Sequence, residues 1–69
     1  MKKKAIIISI KGVSLTKKEK ILLSEENPWG LILFKRNIKS LHQIQFLINN
    51  IKKTTKNKNF PILIDEEGQ

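Results

Sequence analysis

The chain has 69 residues, a formal net charge of +8 from 14 basic and 6 acidic side chains, and no cysteine. At this length one small domain is the most that can form, its core contributes only a few kcal/mol without staples, and neither a disulfide nor a zinc site resting on one histidine is at hand. The charge alone suggests a polyanion partner, but every cation except Arg36 is a lysine, and Trp29, Phe34, Phe46 and Phe60 sit in apolar stretches rather than on a stacking platform, so dedicated nucleic-acid recognition is disfavoured.

Met1-Lys2-Lys3-Lys4 followed by an apolar run over residues 5–10 imitates the opening of a secretory signal. The run stops at Lys11, short of the roughly 7–15 residues of a signal core, and no small-residue cleavage site follows. No stretch approaches the ~18 apolar residues of a membrane helix. Residues 5–10 are therefore read as a first strand, and the protein is expected in the cytoplasm with no membrane partner.

Thr16-Lys17-Lys18-Glu19 has the spacing of a capping box, in which hydroxyl and carboxylate each take the other residue's backbone N–H. It opens a helix carrying Ile21, Leu22 and Leu23 that ends before Asn27-Pro28, because proline disfavours helix in the residue before it. Residues 30–34 form a second apolar run. Trp29 just before it is read as a packing residue. Lys35-Arg36-Asn37 follows directly: Arg36 is placed to hold an acid from a neighbouring strand, and Asn37 to satisfy loop backbone groups.

Ser40-Leu41-His42-Gln43 repeats the capping spacing and opens the clearest helix of the chain, with Leu41, Ile44, Leu47, Ile48 and Ile51 on one face. Lys52 and Lys53 fall in its last turn, where cations complement the helix dipole. His42, in the first turn, is in the wrong place for a general base of an α/β protein. Residues 54–59 are a polar connection to a third apolar run at 60–64, with Pro61 near its start, where a missing ladder donor is tolerated.

The order strand, helix, strand, helix, strand implies right-handed crossovers and a parallel sheet. Nearly unbroken apolar runs suit strands covered on both faces. The doubly wound sheet and the eight-stranded barrel both remain open on this pattern. In either, ligands bind at the carboxyl ends of the strands. The third run ends there on Asp65-Glu66-Glu67-Gly68. Asp65 and Glu67 would share a face about 6.6 Å apart if the strand continued. Two acids from one short segment lie on one side of any substrate, so hydrogen bonding to hydroxyls or holding a cation suits them better than flanking a scissile bond. A solvated loop turning at Gly68 is the plain alternative. Magnesium or calcium would need further oxygen ligands. The three glycines are too scattered for a phosphate-binding motif.

Gly30-Leu31-Ile32-Leu33-Phe34-Lys35-Arg36-Asn37, followed some thirty residues later by Ile64-Asp65-Glu66-Glu67-Gly68, resembles the family 3 glycoside hydrolases, and most of all their bacterial β-N-acetylhexosaminidases. The resemblance runs in order over nearly the whole chain. It implies that residues 1–69 are the N-terminal β-α-β-α-β portion of a (β/α)8 TIM barrel, an incomplete domain that needs the remainder of the barrel to fold. The implied activity is retaining removal of terminal β-linked N-acetylglucosamine from glycans derived from peptidoglycan. The implied partner is a carbohydrate, with no nucleic acid and no cofactor or metal. Carried over by position, Asp65 binds the sugar hydroxyls, while Arg36 and Asn37 support the site. The family's aspartate nucleophile and histidine-bearing acid/base loop have no match here, so the chain alone is expected to be inactive. Gln69 stands where many relatives have a second glycine. The competing reading is a small basic module that binds nucleic acid or protein.

Overall fold

The computed structural model describes residues 4–65; Glu66, Glu67, Gly68 and Gln69, on which part of the acidic-site reading falls, lie outside the described residues. The element order is β1 (Lys4–Ser9), α1 (Lys17–Glu26), β2 (Pro28–Leu33), a single 3-10 turn (Lys35–Asn37), α2 (Leu41–Thr55) and β3 (Ile62–Ile64). The sheet is parallel throughout, in the order β1-β2-β3.

Both helix starts follow from their caps. The Thr16 hydroxyl accepts the Glu19 N–H at 3.1 Å, while the Glu19 carboxylate accepts the Thr16 N–H at 2.9 Å. Ser40 and Gln43 repeat this at α2. Helix α1 ends at Asn27, in the left-handed region at φ 48°, where asparagine is tolerated better than most residues. Helix α2 runs into the expected connection. Thr55 is drawn in by its hydroxyl, which donates to the Ile51 and Lys52 carbonyls, and Lys56 closes the helix at φ 57°.

The core is one cluster, Ile10, Leu23, Leu31, Leu33, Ile44, Leu47, Ile51 and Phe60, with Ile8, Leu15, Ile48 and Ile62 packed against it. Pairing fixes the faces: Ile8, Leu31 and Ile62 share one row, and Ser9, Ile32 and Leu63 the next. Alternation sends the first row to the helices and the second away from them. The second face is bare. Ile7 on it is 49% exposed and Leu63 41%. The expectation of strands buried on both sides thus fails within the described residues, because both helices pack on the same side of the sheet.

Three further expectations are corrected. Leu41 is 74% exposed and Ile21 and Leu22 are also solvent-facing, so the apolar stripe of α2 narrows to Ile44, Leu47 and Ile51, with Ile48 at its edge, and α1 buries only Leu23. Strand β3 is shorter than the run that suggested it: Phe60 turns into the core, and Pro61, with no N–H, contributes only its carbonyl, which accepts the Leu31 N–H at 3.0 Å. Trp29 is largely exposed instead of packed.

Gly30 is needed where the chain crosses that proline. A Cβ there would stand 3.1 Å from the Pro61 carbonyl oxygen and 3.3 Å from its Cβ, closer than ordinary contact. A side chain at residue 30 would therefore push β2 and β3 apart by a few tenths of an ångström. No described helix is long and apolar enough to cross a membrane.

Candidate functional site

At the carboxyl end of the sheet the β1–β2 ladder closes at the pair Ser9 and Ile32, and beyond it the strands must part. Asn37 fills the gap. The 3-10 turn after β2 swings its carboxamide back between the strand ends, where it is fully buried at 0% exposure. Its Oδ1 accepts the Phe34 N–H at 2.8 Å, and its Nδ2 donates to the Ile10 and Gly12 carbonyls at 3.1 and 2.7 Å. All three hydrogen-bonding positions that face the protein are used, and no buried side-chain N or O among the described residues lacks a partner. Asn37 is the only buried polar side chain among them. The reading of it as a residue that satisfies loop backbone groups is thereby specified atom by atom.

Asp65 stands on the other side of the same peptide. Its N–H donates to the Leu33 carbonyl at 2.9 Å. Leu33 C=O and Phe34 N–H belong to one planar peptide unit, so the Asn37 carboxamide holds one end and the Asp65 backbone the other. Rotating that unit would break both bonds. Asp65 is exposed, and alternation from Leu63 assigns it to the helix-free face. A carboxylate there, fixed through its own backbone and open to solvent, is an acceptor for hydroxyl groups arriving over the strand ends.

Arg36 reaches back toward the end of β1. Its Nη2 donates to the Ile10 carbonyl at 3.3 Å, and its guanidinium lies 4.8 Å from the centre of the Phe34 ring. Among the described residues it thus braces a backbone carbonyl and an aromatic face. Arg36 and Asn37, on the turn after β2, and Asp65, at the end of β3, are brought to one rim. His42 lies outside this group, in the first turn of α2, in a shallow depression with Val13, Ser14, Lys39, Ser40, Gln43 and Phe46.

Gln43 is the residue the sequence reading undervalued. Beyond its part in the α2 cap, its Nε2 donates to the Val13 carbonyl at 2.7 Å and the Asn37 carbonyl at 2.9 Å. Its Oε1 accepts the Lys39 N–H at 2.7 Å. The capping-box spacing located Gln43, but nothing in a linear sequence shows that the loop after β1 passes within reach.

No family model matches the chain. A β-hexosaminidase of Haemophilus influenzae is 41% identical over 64 residues, 93% of this chain and 18% of that protein. One from Idiomarina loihiensis is 41% identical over 63 residues, 91% of this chain and 19% of its own length. Among solved structures, NagZ from Neisseria gonorrhoeae in complex with N-trifluoroacetyl-D-glucosamine superposes with a TM-score of 0.81 at 31% identity, covering 97% of this chain and 20% of that one. The native NagZ structure from the same organism gives the same TM-score and identity over 19% of its length. The chain spans about a fifth of the length of the curated relatives it matches.

Proposed function

We propose that these residues form the N-terminal β-α-β-α-β portion of a (β/α)8 barrel in a retaining β-N-acetylhexosaminidase of glycoside hydrolase family 3, and that Asp65 binds the hydroxyls of a terminal N-acetylglucosamine. The observation that carries the reading is the seat of Asp65: an exposed carboxylate at the carboxyl end of a parallel sheet, where barrel enzymes bind substrate, tied by its N–H to a peptide that a buried asparagine clamps from the far side. Similarity to β-hexosaminidases over more than nine-tenths of the chain supports the same reading. So does the bare sheet face: Ile7, Ile32 and Leu63 suit a barrel interior, where inward side chains from several strands meet in layers.

In this reading the segment contributes binding and scaffold. The nucleophile and acid/base come from other βα units, and the reaction passes through a glycosyl-enzyme intermediate. Asp65 accepts hydrogen bonds from the sugar ring and so orients the anomeric carbon toward those groups. A glycan from recycled cell wall in the cytoplasm is the substrate this implies.

The test is a chimera in which this chain replaces the matching segment of the Haemophilus influenzae β-hexosaminidase. It should hydrolyse a chromogenic β-N-acetylglucosaminide. Asp65→Ala should weaken kcat/KM by about tenfold or more, the scale of a lost charge-assisted hydrogen bond, with little change in stability because the side chain is exposed. A folded chimera whose kinetics ignore that substitution would remove Asp65 from the site.

A further inference from the structure

We infer that Gln43 is a positioning residue for the sugar site: a tether that holds the loop after β1 against the turn after β2 and so sets the rim on which Asp65 stands. This rests on the reading of function above and extends it to a residue on the outer side of the rim. Gln43 makes two kinds of hydrogen bond with separate purposes. Through Oε1 it accepts the Lys39 and Ser40 N–H groups at 2.7 and 3.4 Å, which serves the start of α2. Through Nε2 it donates to Val13 and Asn37 carbonyls, thirty and six residues away, which serves no helix.

The second pair closes a circuit. From Val13 the contact passes to Gln43, to the Asn37 backbone, through the Asn37 carboxamide to Gly12 and Ile10 on one side and to the Leu33–Phe34 peptide on the other, and from there to Asp65. The loop is packed at its two ends, by Ile10 and Leu15, but Gly12 has open space around it and Val13 is exposed, so packing does not hold its middle. Hydrogen bonds to the Gly12 and Val13 carbonyls do. Asn37 fixes the loop at Gly12 and Gln43 fixes it at Val13; without the latter, the loop is tied to the turn after β2 at Gly12 and Ile10 only, and the Asn37 backbone carbonyl loses its donor.

Gln43→Glu separates the two purposes. A carboxylate keeps the acceptor for Lys39 and Ser40 and sits favourably at a helix start, but it has no N–H to give and sets an oxygen against two carbonyls. Ser40→Ala does the reverse: it removes the hydroxyl that accepts the Gln43 N–H at 3.1 Å and leaves the tether in place. Both are made in the chimera, and melting temperature, kcat and KM are measured with the chromogenic N-acetylglucosaminide. The expected result is a KM raised about fivefold by Gln43→Glu with kcat within about twofold, while Ser40→Ala lowers the melting temperature and leaves KM alone. An unchanged KM overturns the inference. So does a Gln43→Glu protein that loses stability and kcat in step with Ser40→Ala, or that fails to fold where Ser40→Ala folds. A chimera of unaltered sequence that does not hydrolyse the substrate overturns the reading of function and the inference with it.

Discussion

Replacing Asn37 by alanine in the chimera removes three hydrogen bonds, of 2.8, 3.1 and 2.7 Å, and leaves their backbone partners behind. The partners do not suffer equally. Ile10 C=O keeps the Arg36 Nη2 donor at 3.3 Å, and Gly12 is half-buried, so water reaches its carbonyl. The half-buried Phe34 N–H has no protein substitute, because the sheet parts on that side, and an orphaned donor there costs about 1–3 kcal/mol. Adding about 0.5–1 kcal/mol for the weakened carbonyls gives roughly 1.5–4 kcal/mol in all, a large share of the stability of a typical domain. Arg36→Ala leaves Ile10 C=O on Asn37 and removes an exposed side chain, so it should cost less than about 1 kcal/mol. Urea unfolding of the two variants and the parent, compared at equal m-values, reads both figures. Asn37→Ala should also raise KM, since the peptide bonded to Asp65 is then held at one end only. A loss under about 0.5 kcal/mol, or a larger one for Arg36→Ala, would refute the clamp.

Leu47→Ala, at a site with 0% exposure, should cost about 2–5 kcal/mol, while Leu41→Ala, at 74% exposure, should stay within about 0.5 kcal/mol; similar losses would mean that α2 is rotated. Gly30→Ala should destabilise by about 1–3 kcal/mol because its methyl meets the Pro61 backbone, and equal urea midpoints for variant and parent would show that β2 and β3 sit further apart. Thr16→Ala should cost about 1 kcal/mol. Glu19→Ala should cost more, since that carboxylate also accepts the Lys11 N–H at 3.0 Å; the reverse order would argue against the Lys11 contact.

The elements that were legible in sequence are those set by local chemistry. Thr16/Glu19 and Ser40/Gln43 announce helix starts through the spacing of the groups that satisfy one another, and Asn27-Pro28 announces a stop. What escaped depends on where distant segments meet. Leu41 belongs to the apolar repeat but sits in the first turn, ahead of the contact with the sheet, so period alone misplaces it. Residues 60–64 look like one strand, yet Phe60 is more useful as a core plug than as a ladder residue, and Pro61 cannot donate. The site divides the same way. The seats of Asp65 and Asn37, directly after the ends of apolar runs, can be read from the sequence. The partner of Arg36 and the reach of Gln43 to Val13 depend on a loop some 25–30 residues away, which no spacing encodes.

In the proposed function, further strands continue this sheet and carry the reacting groups, and Asp65 completes the sugar site. Mixing the 69-residue chain with a Haemophilus influenzae β-hexosaminidase lacking the matching segment tests it most directly. Hydrolysis of the chromogenic N-acetylglucosaminide should appear in the mixture, be absent from either component alone, and fall sharply when the added chain carries Asp65→Ala. A stable complex with no turnover, or turnover indifferent to Asp65, would contradict it.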